Sequence, residues 1–136
     1  MLNMIIIINN SEKPIVQVSW TNKIKKILNT ICPESNSVIV NEKDEMNRIL
    51  ADNKHDIKGV ILGGSELRVR NKQCLNKILD NILPIIELDV PILGICFGHQ
   101  VISATYQSNI CSFENMVSGH KQIKFLWDPL LSLIHI

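Results

Sequence analysis

Over the first hundred residues, short apolar runs alternate with longer stretches in which apolar side chains recur every three or four positions, the signature of strands and amphipathic helices in turn. Met4 to Ile8 is a continuous run rich in β-branched residues and closed by Asn9-Asn10. It reads as a strand covered on both faces, the usual first strand of a parallel sheet. The two asparagines cap and turn readily; they also fall at the carboxyl end of that strand, where open α/β sheets place their ligands. From Ser19 to about Ile31, Trp20, Ile24, Ile27, Leu28 and Ile31 keep helical spacing, with Lys23, Lys25 and Lys26 facing outward. Ser19 or Thr21 can act as N-cap, and Pro33 stops the helix.

Ser37 to Val40 predicts a second strand and Glu42 to Ala51 a second helix with acidic residues in its first turn. Asp56 to Leu62 predicts a third strand running into Gly63-Gly64-Ser65. A third helix follows over Asn71 to about Leu83, with Leu75, Ile78, Leu79 and Ile82 as its buried stripe, Cys74 on or beside it, and Pro84 as its end. Pro91 to Ile95 predicts the central strand, and Phe97 to about Tyr106 the helix behind it; Asn109 to Phe113 and Gln122 to Trp127 are candidates for short strands. This alternation predicts an α/β fold: a three-layer, mostly parallel sheet with helices on its faces and right-handed crossovers. Its length suits a single domain over residues 1–136.

Composition narrows the function. With 46% hydrophobic and 20% charged residues the chain is globular rather than disordered. A net charge of +1 and only 4% aromatics give no footprint for nucleic acid or an anionic membrane surface. The opening apolar run is too short for a membrane span or signal peptide. Cys32, Cys74, Cys96 and Cys111 are scattered without a C-x-x-C pair, so zinc-type spacing is absent and no metal is expected. Reduced thiols in the cytoplasm fit best.

The candidate chemistry lies in Pro91-Ile-Leu-Gly94-Ile-Cys96-Phe-Gly98-His-Gln100. Gly94-x-Cys96-x-Gly98 is the cysteine form of the G-x-S-x-G elbow, a sharp turn between a buried strand and a helix. Side chains at Gly94 and Gly98 would collide with the strand or helix, and the sulfur would sit at a helix N-terminus, where the dipole and free N–H groups favour negative charge. The alternative is a plain buried cysteine in a strand. Upstream, Gly63-Gly64 follows a buried strand and can turn backbone N–H groups toward a ligand, or be an ordinary loop.

Gly94-Ile-Cys96-Phe-Gly98-His-Gln100 resembles the G-x-C-x-G-x-Q signature of class I glutamine amidotransferases, and Gly59-Val-Ile-Leu-Gly63-Gly64-Ser65 resembles that family's oxyanion loop. The resemblance covers roughly residues 1 to 131 and implies a flavodoxin-like amidotransferase domain that hydrolyses glutamine without a cofactor and passes ammonia to a synthetase. It implies Cys96 as nucleophile, the backbone N–H groups of Gly64 and Phe97 as oxyanion donors, Gln100 and Gly63 as contacts to glutamine, and Gly94 and Gly98 as elbow glycines. GMP-synthase, carbamoyl-phosphate and anthranilate types share this elbow. Ser65-Glu66 stands where the family usually has proline. Glu66, Arg68 and Arg70 read as surface charges or, alternatively, as contacts to the ends of the substrate.

The family's triad adds a His-x-Glu well downstream. Forty residues follow Cys96 and none contains it; His120-Lys-Gln122 comes nearest, and His55, His99 and His135 lack the context. The resemblance therefore implies a C-terminally incomplete domain that depends on a complementary chain carrying His-x-Glu. Two alternatives stand beside it: an inactive amidotransferase-like subunit that binds glutamine or a partner protein, and another cysteine hydrolase using a local histidine.

Overall fold

The structure is a computed structural model. It describes residues 3–11, 14–41, 43–66 and 72–111, together with 114, 119, 120 and 122. Two inner strands, β1 (Met4–Ile8) and β3 (Ile57–Leu62), are flanked by β2 (Asn36–Val40) and β4 (Ile92–Gly94) in one sheet ordered β2-β1-β3-β4. All three pairings are parallel. The register sets Val40, Ile8, Leu62 and Gly94 in one row across the sheet. Each ladder runs one residue further: Asn9 N–H to Val40 O at 2.9 Å, Gly63 N–H to Ile8 O at 3.0 Å, and Ile95 N–H to Leu62 O at 2.9 Å. The loops after β1, β3 and β4 therefore leave the sheet level with one another, at the edge where parallel sheets hold ligands.

The two faces follow from the period-two alternation of the strands. Ile7 and Ile61 face α1 (Pro14–Ile31), whose Trp20, Ile24 and Leu28 pack on them. Ile6, Ile8, Val60 and Leu62 face the other way, under Met46 of α2 (Lys43–Asn53), Ile82 and Ile85 of α3 (Lys72–Ile86), and Phe97, Val101 and Ile102 of α4 (Phe97–Thr105). Helices on both faces of a parallel sheet give the expected three layers.

Four expectations need correction. α1 starts at Pro14 rather than Ser19, because proline suits a first helical turn, and Ser19 and Thr21 lie inside the helix instead of capping it. Pro84 does not end α3: the helix continues to Ile86, and Glu87 N–H still bonds Leu83 O at 3.1 Å. Ile82 and Ile85 on either side of Pro84 are almost fully buried. Each such burial contributes about 1.5–3 kcal/mol, enough together to offset the roughly 3 kcal/mol of an interior proline. Among the described residues β4 is an edge strand and not the central one, paired only with β3 and leaving Leu93 47% exposed. Asn109 to Cys111 form no strand, while residues 112–113 and 123–127 lie outside the described residues.

Candidate active site

Cys96 occupies the single residue between the end of the β4 ladder and the first turn of α4. Its backbone sits at φ 54°, ψ −108°, a conformation that costs a side-chain-bearing residue about 1–3 kcal/mol. The neighbouring glycines make the turn possible. A Cβ on Gly94 would lie 2.6 Å from His99 N and 2.7 Å from the Gly98 carbonyl carbon. A Cβ on Gly98 would fall on the Leu62 carbonyl, 2.7 Å from its carbon. Gly94 thus lets the helix approach β4, and Gly98 lets it approach β3. Ile95 O accepts from Gly98 N–H at 3.0 Å and Cys96 O from Gln100 N–H at 3.2 Å, which closes the bend. The thiol is carried into solvent rather than into the core: Cys96 is exposed and free, while Phe97 beside it is 1% exposed.

Phe97 is the first residue of α4, so no intrahelical carbonyl can take its N–H. On the other side, Gly64 lies against the cysteine, where a Cβ on it would be 3.7 Å from Cys96 Cβ and 3.9 Å from Ile95 O. The loop after β3 and the elbow after β4 therefore meet at Cys96, as two strands in parallel register must if both loops leave the same row. Gly63 has a different setting. Its N–H is committed to Ile8 O, its carbonyl accepts from Asn10 Nδ2 at 2.9 Å, and a Cβ on it would strike the Trp20 ring. Gln100 is half-buried one turn along α4 from Cys96, and His99 is exposed.

The first-strand loop supports this arrangement in a way the sequence reading missed. Asn9 is buried, donating to Asn41 Oδ1 at 2.9 Å and accepting from Ser11 N–H at 3.1 Å. Ser11 Oγ donates to Glu66 Oε2 at 2.7 Å, so Glu66, read as a surface charge, ties the loop after β3 to the loop after β1. Arg68, Arg70 and His135 lie outside the described residues, as does the side chain of Cys74. The only signal in the sequence was the position of Asn9-Asn10 at a strand's carboxyl end.

Topology keeps His55 away from this geometry. His55 stands in the 3₁₀ turn Lys54–Asp56, which feeds the opposite end of β3. Six strand residues at about 3.3 Å each put about 20 Å between that end and the elbow. His120 is exposed. A cavity of about 90 Å³ lies at the ends of β1 and β2, lined by Asn9, Asn10, Asn41, Lys43, Asp80 and Ile85 among others. Among the described residues no three His, Cys, Asp or Glu side chains gather as a metal site requires. No helix among them is long and apolar enough to cross a membrane.

Comparison with known proteins bears on this arrangement. Residues 18–127 match the family model for glutamine amidotransferase class-I. The chain is 30% identical over 120 residues to a glutamine-hydrolyzing GMP synthase subunit of Methanococcus aeolicus, covering 88% of this chain and 55% of the relative. The subunit of the same name from Methanosphaera stadtmanae is 33% identical over 120 residues, covering 88% and 54%. A glutamine-hydrolyzing GMP synthase of Ehrlichia ruminantium is 34% identical over 85 residues, covering 53% of this chain and 16% of its own length. The chain thus spans about half the length of the curated relatives it matches first. No solved structure matches it.

Proposed function

The chain belongs to the class I glutamine amidotransferase family, and on that premise we propose that it carries the nucleophile half of a glutaminase serving a synthetase. The observation that carries this reading is the strained, exposed Cys96 with Gly64 packed against it and the start of α4 behind it. In the proposed reaction Sγ attacks the side-chain amide carbon of glutamine. The oxygen of the tetrahedral adduct is received by the N–H groups of Gly64 and Phe97. The C–N bond then breaks, ammonia leaves with the proton that the base took from the thiol, and water hydrolyses the thioester to glutamate. Gly94 and Gly98 shape the turn. Gln100 holds the bound glutamine, and Gly63 frames its site through backbone position rather than through an N–H, which the sheet already uses.

Residues 1–136 contain no His-x-Glu, so the proton-transfer half of the triad comes, in this reading, from residues outside them. Loss of a general base costs about 10²–10⁴ in rate, so residues 1–136 alone turn over poorly. The relatives named as GMP synthase subunits support a synthetase as the consumer of the ammonia. The free Cys32, Cys96 and Cys111 suit a reducing compartment such as the cytoplasm.

A glutamine chloroketone, which alkylates a nucleophilic cysteine, tests the reading. Labelling should fall on Cys96, be slowed by glutamine, and vanish in Cys96→Ser. Equal labelling of Cys32 and Cys111, with no protection by glutamine, sinks it. Addition of a GMP synthase fragment bearing His-x-Glu should restore ammonia release; labelling with no restoration supports an inactive subunit instead.

A further inference from the structure

The bond from Asn10 Nδ2 to Gly63 O acts on more than Gly63. A peptide unit is planar and trans, so the carbonyl of one residue and the N–H of the next point in opposite directions within one plate. Gly63 C=O and Gly64 N–H belong to the same plate. Fixing the carbonyl toward Asn10 at 2.9 Å therefore fixes the Gly64 N–H away from Asn10.

The plate needs such a constraint. It joins two glycines, and glycine rotates its peptides with little steric resistance. Its near end is held by Gly63 N–H on Ile8 O at 3.0 Å and by the Trp20 ring lying where a Gly63 side chain would be. That anchors the position of Gly63 Cα but leaves rotation of the following plate to Asn10. Beyond it, Ser11 Oγ on Glu66 Oε2 at 2.7 Å holds the far side of the same loop. Both ties come from the loop after β1.

We infer that Asn10 is a positioning residue: by holding the Gly63 carbonyl, it keeps the Gly64 N–H aimed at the space beside Cys96. The inference rests on the reading of Cys96 as nucleophile and Gly64 as oxyanion donor. Asn10 touches no reacting atom. Its contribution is the preorganisation of a donor that would otherwise turn at the moment charge develops on the substrate oxygen.

Asn10→Asp keeps the shape of the side chain and removes its donor; Asn10→Ala removes both. Each variant of the 136-residue chain is alkylated with two reagents, and modification of the Cys96 peptide is followed by mass spectrometry. The glutamine chloroketone carries a carbonyl oxygen that must be accommodated beside the sulfur. Iodoacetamide in excess reads thiol accessibility. We expect both variants to lose about 10²-fold in rate toward the chloroketone, the scale of a misplaced catalytic contact, while their iodoacetamide rates stay within about twofold of wild type. A wild-type chloroketone rate in Asn10→Asp overturns the inference, since the hydrogen bond would then be idle. A parallel fall with both reagents also overturns it, since the loss would lie in the fold around Cys96. Absence of Cys96 labelling in the wild-type chain itself removes the nucleophile reading and the role of Asn10 with it.

Discussion

Gly98 in the first turn of α4 rests directly on Leu62, the last residue of β3, so closely that a Cβ on the glycine would collide with the Leu62 carbonyl. Helix propensity favours alanine over glycine by about 1 kcal/mol, yet backbone cannot move aside as a flexible side chain can. Overpacking of this kind costs about 1–3 kcal/mol and at times more, so the clash wins. Gly98→Ala should lower unfolding stability by about 2 kcal/mol or more. Gly59 is the control: a Cβ there meets only Pro91 O at 3.6 Å, an ordinary contact. Gly59→Ala should be neutral or gain up to about 1 kcal/mol. Urea denaturation of the two variants checks the contrast, and equal effects would refute it.

Cys96 holds a backbone conformation that a Cβ resists. Cys96→Gly should therefore be more stable than Cys96→Ala by about 1–2 kcal/mol, the strain released when the Cβ goes. Both variants lack the sulfur, so the comparison isolates backbone strain from the loss of the thiol. A Gly variant no more stable than the Ala variant in urea denaturation would show that the turn carries no such strain.

Pro84 sits exposed inside α3, where it withholds an N–H and crowds the carbonyl one turn earlier. Pro84→Ala should stabilise the chain by about 2–2.6 kcal/mol, the roughly 3 kcal/mol helical gain less the roughly 0.4–1 kcal/mol by which proline restricts the unfolded chain. Ile85→Ala beside it should instead cost about 2–5 kcal/mol, because Ile85 is 1% exposed. Thermal unfolding of the pair gives opposite shifts if core packing holds the helix across the proline.

Ser37 on β2 is 4% exposed and its hydroxyl has no hydrogen-bond partner. Burying an unpaired hydroxyl costs about 1–3 kcal/mol, and removing it restores part of that. Ser37→Ala should raise stability by about 0.5–1 kcal/mol. A loss of that size, measured by urea denaturation, would mean that the hydroxyl is solvated after all.

Much of this was legible in the order of residues because its causes are local. Five consecutive β-branched or long apolar side chains at Met4–Ile8 can be satisfied only by cover on both faces, and that dictated a parallel sheet between helices. The elbow was equally legible: a residue at positive φ between a strand and a helix leaves room only for glycine on either side, and Gly94 and Gly98 are spaced accordingly. Where the sequence misled, a distant contact outweighed a local preference. Pro84 signals a helix end, but the burial of Ile82 and Ile85 carried α3 past it. Ser19 looks like a cap, but α1 had already begun at Pro14.

The sequence by itself determined that a cysteine would stand on a strained bend at a sheet's carboxyl edge, since strand, glycines and helix follow one another along the chain. Only the tertiary structure decided what surrounds that cysteine. Gly64 precedes it by 32 positions, and Asn10 precedes Gly63 by 53; neither relationship has a sequence period to betray it. Both arise because parallel register brings Ile8, Leu62 and Gly94 into one row, so that three loops from remote parts of the chain leave the sheet at the same level and meet.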